Sequence, residues 1–183
     1  FVKESIFRAV EQVCYTESIA QPKDNVEDTK KIAIIVNHSL ELLKCVSINE
    51  KVTSVLTSTP LIRERVFDRI TWDYDVHVQL NYVGELTQFK LDQIEEIKTY
   101  PNIRSMTICK QSDIVDSIRQ HIDVSDDMAE NIYFMRHHIQ HYVFFNMICE
   151  MKDQYDYFFR LRPDIITLPE FNLEKLLTSQ RLN

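Results

Sequence analysis

Gly84 is the only glycine in 183 residues, where average usage of ~7% would supply about a dozen. A chain so poor in glycine has few places where its backbone can turn through positive φ or lie close against a ligand's phosphates. Three common devices are excluded outright. No G-x-G-x-x-G turn, no Walker-type phosphate loop and no G-x-S-x-G nucleophile elbow can be written with one glycine. A nucleotide bound by this chain is held by side chains instead.

The remaining composition is globular, 44% hydrophobic and 27% charged, enough for a core of single-domain size. Net charge is −7 and no basic run exceeds Lys30–Lys31, which argues against a nucleic-acid partner. Cys14, Cys45, Cys109 and Cys149 are widely spaced without a C-x-x-C pair. They read as free thiols of a reducing, cytoplasmic compartment, and a zinc site built on them is disfavoured. No apolar run reaches the ~18 residues of a transmembrane segment, and no signal-peptide pattern is present. A start at Phe1 rather than Met suits a piece excised from a longer chain.

Hydrophobic periodicity predicts an amphipathic lead-in helix over residues 3–20 and a polar linker over 21–29. These make up an N-terminal segment, 1–30, ahead of one domain over 31–183. Short apolar or alternating runs predict strands at 31–37, 75–82, 103–109 and 155–162. Between and after them, helical spacing covers 40–56, a helix opening at Pro60, then 85–99, 112–122, a long helix from Ser125 to about Lys152, and 171–178. Alternating strands and helices imply an α/β fold, a mostly parallel sheet flanked by helices on both faces. Ligands in such sheets bind beyond the carboxyl ends of the strands. Asn37-His38-Ser39, Asn81-Tyr82, Cys109-Lys110 and Arg160 to Asp164 are therefore the residues to inspect.

The sharpest of these is YDYFFRLRPD, residues 155–164. Arg160 and Arg162 stand two apart on an extended strand and share a face, and their planar forks suit the paired oxygens of a diphosphate. Asp164 is a hard oxygen ligand for a divalent cation, and Pro163 stiffens the turn. The plain alternative is an Arg–Asp ion pair closing a strand. Elsewhere, Asp73-Tyr74-Asp75 reads as a helix-to-strand turn at the wrong edge for a metal site. His137 and His141 share a helix face but lack a visible third ligand. Acidic residues 123–130 read as a solvated helix start, and Trp72 as core. No Ser/His/Asp or Cys/His arrangement follows from spacing.

With YDYFFRLRPDII, the preceding long helix, the early KIAIIVN and the Asp-Val strand at Asp75-Val76, the chain resembles GT-A-fold glycosyltransferases, over roughly residues 31–178. The similarity is to bacterial and viral enzymes that decorate polysaccharides. It implies a Rossmann-like nucleotide-sugar-binding domain that transfers a hexose from a nucleoside-diphosphate sugar to a hydroxyl of a glycan acceptor. By position, Asp164 matches the last aspartate of the family's Asp-x-Asp, the usual Mn²⁺ or Mg²⁺ ligand. Arg162 stands where the first aspartate would be. The resemblance thus assigns catalysis to Arg160, Arg162 and Asp164 and a divalent cation to Asp164, while Asn37 and His38 are expected nucleotide contacts from their place at the end of the first strand. The family often has glycine and arginine after its first strand, where this chain has Asn37-His38-Ser39. Acceptor-binding parts usually lie further along than the nineteen residues that follow Asp164, so the resemblance implies a domain truncated at its carboxyl end. The rival expectation is a non-catalytic α/β interaction module whose long helix offers Tyr133, Phe134, Tyr142, Phe144 and Phe145 to a partner.

Overall fold

A computed structural model describes residues 15–18, 30–40, 55–119, 132–164 and 169–179. Five strands form one sheet: β1 (Tyr15–Ser18), β2 (Lys31–Ser39), β3 (Asp73–Tyr82), β4 (Ile103–Lys110) and β5 (Tyr157–Leu161). Their order is β1-β4-β3-β2-β5. The last four in this order are mutually parallel, and β1 pairs antiparallel with β4 at the edge. The helices are α1 (Val55–Arg65), α2 (Gln88–Lys98), α3 (Gln111–Arg119), α4 (Ile132–Met151) and α5 (Leu173–Ser179), with a 3₁₀ turn at Phe67–Arg69. The α/β expectation therefore holds at the level of a parallel sheet with helices.

One face of the sheet is apolar. Even-numbered residues of the central strands, Ile32, Ile34 and Val36 on β2 and Val76, Val78 and Leu80 on β3, are buried with Ile62, Ile94, Ile97, Met106 and Leu161. These β-branched runs fit a pleated, buried surface. Helix α2 supplies its part through the spacing of Lys90, Gln93, Ile94 and Ile97, all buried. Near the amino edge, Trp72 stacks on Tyr157 at 5.4 Å with the Lys30 ammonium over both rings. Glu174 of α5 accepts from the Trp72 amide at 2.9 Å, fixing that helix to the start of β3.

The single glycine has a definite task. Gly84, at φ +67, turns the chain after β3, and the buried Lys90 ammonium donates to the carbonyls of Val83 and Glu85 on either side of it. At the turn into β4, Asn102 adopts φ 55, a conformation asparagine tolerates better than most residues.

Several expectations are corrected. Residues 15–18 form a strand, not part of a lead-in helix; Tyr15 and Thr16 favour strand, and β4 offers a free edge for ladder bonds. Pro60 lies inside α1 rather than opening it; it is exposed, as is Leu56, whose carbonyl loses its usual donor. Asp73 to Asp75 belong to β3 itself rather than to a turn. Cys109 is disulfide-bonded, with its partner outside the described residues, while Cys149 is free and exposed. Lack of a C-x-x-C spacing does not exclude bridges between distant segments, so the cysteines give no argument for a reducing compartment. The expected linker at 21–29, most of the helix at 40–56 and the acidic start at 123–130 lie outside the described residues. Among the described residues no helix is long and apolar enough to cross a membrane.

Candidate functional site at the polar face of the sheet

Opposite the apolar core, the other face of the sheet carries a polar layer on β3 and at the end of β2, beside the buried Ala33 and Ile35. Register pairs Asn37 with Gln79 and Ser39 with Asn81 across β2 and β3, His77 with Ser105 and Gln79 with Thr107 across β3 and β4, and Ile35 with Arg160 across β2 and β5. Parallel sheets are ordinarily apolar on both faces. Here Asn37, Ser39, His77, Gln79 and Asn81 are all buried, which is unusual company for one sheet surface.

Toward the carboxyl ends of the strands this polar layer is incompletely bonded. The Asn37 amide donates to the Gln140 carbonyl of α4 at 2.9 Å, and the Asn81 amide to Gln111 Oε1 at 3.3 Å. Asn37 Oδ1, Ser39 Oγ, Asn81 Oδ1, both amide atoms of Gln79 and Arg160 Nε are buried without a hydrogen-bond partner among the described residues. Each orphan of this kind costs about 1–3 kcal/mol unless water or a ligand meets it. Such costs persist where something else is meant to bind.

Arg160 stands at the centre of this region. Its Nη2 donates to Gln140 Oε1 at 3.3 Å, and its guanidinium lies 5.7 Å from the Phe144 ring centroid. No carboxylate meets it among the described residues. Burial lowers its pKa, and the charge of neighbouring Arg162 adds to the lowering. A half-buried cation with no counter-ion among the described residues, beside a second cation, is a ready anion site.

Arg162 and Asp164 form the ion pair that the plain alternative describes. Arg162 Nε reaches Asp164 Oδ1 at 3.1 Å and Nη2 reaches Oδ2 at 2.7 Å, and His38 Nδ1 lies 3.8 Å from Oδ1. These bonds to Asp164 raise the Arg162 pKa. Burial alone would push the Asp164 carboxyl up, but the Arg162 bonds and the His38 and Arg162 charges hold it below its ordinary value. The structure thus gathers Asn37, His38, Arg160, Arg162 and Asp164 at the adjoining ends of β2 and β5.

A divalent cation fits this set poorly. Both oxygens of Asp164 are already spanned by Arg162, and among the described residues no three His, Cys, Asp or Glu side chains come together. A cation on Asp164 would have to displace that guanidinium. His141 is half-buried on α4, whereas the side chains of His137 and His138 lie outside the described residues.

A second polar cluster lies nearer the amino edge of the same face. His77 Nδ1 is 2.8 Å from Ser105 Oγ, and His77 Nε2 is 2.9 Å from the Tyr155 hydroxyl. Tyr155 donates to Asp75 Oδ2 at 2.8 Å, and Lys31 Nζ sits 3.0 Å from the same oxygen. Burial pushes the His77 imidazole down to about 4, with Arg104 and Lys31 helping and Asp75 opposing. Burial and the bond to Asp75 both raise the Tyr155 phenol. Asp75 stays below its ordinary value because Tyr155 and Lys31 outweigh its own desolvation.

The strand-end cluster follows the residues the sequence points to, whereas the His77 cluster and the buried polar layer do not, although a signal for them is present. In DVHVQLN, residues 75–81, polar His77, Gln79 and Asn81 alternate with Val76, Val78 and Leu80. That period-2 pattern in a parallel strand means one polar buried face. Gln140 and Tyr155 carried no comparable mark. Comparison of the chain with family models, curated proteins and solved structures gave no match.

Proposed function

We propose that the chain binds a nucleoside-diphosphate sugar at the carboxyl ends of β2 and β5 and transfers the sugar to a hydroxyl of a glycan acceptor. The observation that carries this reading is Arg160, a half-buried guanidinium with an orphaned Nε and no carboxylate among the described residues. Gln140 Oε1 holds its Nη2 at 3.3 Å, long for a charge-assisted bond. A diphosphate oxygen arriving there replaces a neutral amide with an anion, which a desolvated arginine favours strongly.

The chemistry asked of the protein is stabilisation of the departing diphosphate. Fixed cations at that oxygen cluster lower the barrier because the charge they face grows as the glycosidic bond breaks. Arg160 supplies one such charge from a buried position. Arg162, with its side chain 51% exposed, supplies the second once a phosphate competes with Asp164 for its fork. Asp164 then holds Arg162 in place and keeps His38 close. Asn37 and Ser39 offer unmatched oxygens to the neutral parts of the ligand. The resemblance adds a cation on Asp164, but Arg162 occupies that carboxylate.

The glycosyltransferase resemblance in residues 31–178 points to the same reading, through the same residues 160–164. The interaction-module alternative draws on one observation, the 59% exposed Phe145 on α4; Phe144 beside it faces Arg160 instead. Calorimetric titration with UDP- and GDP-hexoses, once in EDTA and once with Mn²⁺, tests the proposal. Binding that survives EDTA is the expected result. Absence of binding in both conditions would remove the donor-binding claim and leave the interaction module.

A further inference from the structure

The cluster at the amino edge of the polar face has a direction. An ionised carboxylate only accepts, so the Tyr155 proton points at Asp75 Oδ2, 2.8 Å away. The Tyr155 oxygen is then the acceptor for His77 Nε2–H at 2.9 Å. A neutral imidazole carries one proton, so its Nδ1 has the free lone pair. Ser105 Oγ–H, 2.8 Å from that nitrogen, is therefore the donor. The chain runs one way: serine hydroxyl to imidazole, imidazole to phenol, phenol to carboxylate, with Lys31 Nζ balancing the carboxylate at 3.0 Å.

Such an arrangement has the geometry of an activated nucleophile: an alcohol within hydrogen-bond reach of a base, and the base oriented by a third group. The elements that build it are rigid. His77 and Ser105 are register partners on adjacent strands, and Tyr155 packs edge-on to the His77 ring at 5.6 Å. Ser105 is half-buried, not sealed. Nothing in the nucleotide-sugar reading uses these residues; His77 stands two strands across from Arg160, with Ile35 the register partner of both.

We propose that Ser105 is a nucleophile toward acyl and phosphoryl electrophiles, with His77 as its general base and Tyr155 and Asp75 as positioning residues. With an ester, Ser105 Oγ forms a bond to the carbonyl carbon while its proton passes to His77 Nδ1. The ester C–O bond breaks, and the leaving alkoxide takes the proton from His77. Water then repeats the sequence on the acyl-serine, releasing the acid and restoring the hydroxyl. Charged groups facing His77 are Asp75, Lys31 and Arg104. Burial, with Arg104 and Lys31, keeps the ring neutral at neutral pH against the pull of Asp75, leaving Nδ1 free to accept a proton.

An alkyl fluorophosphonate probes this directly: the O–P bond forms, the P–F bond breaks, and the serine proton leaves with fluoride by way of His77. The folded chain is treated with the probe, and the adduct is located by peptide mass spectrometry. We expect an adduct on Ser105 that is absent in Ser105→Ala. In His77→Gln the labelling rate should fall by ~100-fold or more, the usual worth of a positioned base. Tyr155→Phe should lower the rate by a smaller factor. The pH profile should be level from about pH 8 to 6 and decline as His77 takes a proton toward about 4. An unassisted serine would instead react faster as hydroxide rises. No adduct on folded wild-type chain, a rate that climbs steadily with pH, or a rate unchanged in a folded His77→Gln would each overturn the proposal.

Discussion

Replacing His77 with glutamine is expected to remove a large part of the acid sensitivity of the fold. In the folded chain the imidazole is pushed to about 4, first by burial and then by the Arg104 and Lys31 charges, against the pull of Asp75. In the unfolded chain it returns to ~6.5. Between these values the unfolded chain binds a proton that the folded chain refuses, so stability falls as pH falls. The contribution is fully present above ~6.5 and fully lost below ~4. At ~1.4 kcal/mol per pH unit, the gap amounts to roughly 3 kcal/mol. Few folds have more than 5–15 kcal/mol in total, so the effect is readily measured. Asp75 and Asp164 act in the same direction, but their folded values lie below the ordinary carboxylate range and their loss falls mainly at lower pH. Urea unfolding of both proteins at pH 7, 6, 5 and 4 is the assay. Glutamine lowers stability at pH 7 by losing bonds to Ser105 and Tyr155, and only the slope with pH matters. Wild type should lose about 3 kcal/mol more than the variant from pH 7 to 4. Parallel curves would refute the reasoning and mean that His77 takes up its proton as readily in the folded chain as in the unfolded one.

Two further substitutions test how the chain is built. Gly84→Ala meets no atom within 4 Å of the added carbon but keeps φ +67; left-handed alanine costs about 1–2 kcal/mol, so the melting temperature should drop by a few degrees in a thermal scan. Gln79→Leu removes two orphaned amide atoms from a buried position and should raise the melting temperature, since an unmatched buried polar group costs about 1–3 kcal/mol. A lower melting temperature in Gln79→Leu would mean that buried water already satisfies that amide.

How much of this was readable beforehand depends on range. Strands β2 to β5 follow from β-branched or aromatic runs and turn residues because those signals act within a few positions. The edge strand at Tyr15–Ser18 falls in a helix-like pattern because its partner, Met106 and neighbours on β4, lies about ninety residues away. The placing of Arg160 to Asp164 at a strand end was visible in the apolar run stopping at Pro163. The partners of these residues were not visible: Gln140 on a helix twenty residues earlier and His38 on another strand. The same holds for His77, Ser105 and Tyr155, which only a sheet register could align. Glycine scarcity, the first constraint, turned out to be met locally, by Gly84 and by Asn102 at the two positive-φ positions among the described residues.

The claim on which the functional reading rests is that Arg160 waits for an anion. Its most direct test is calorimetric titration of UDP-hexose and GDP-hexose into three proteins: wild type, Arg160→Met, and Arg63→Met as an exposed control on α1. Loss of one charge-assisted bond, worth ~1.5–3 kcal/mol, predicts that whichever donor binds wild type binds Arg160→Met ~10- to 150-fold more weakly, with Arg63→Met unchanged. Equal affinity in wild type and Arg160→Met would contradict it.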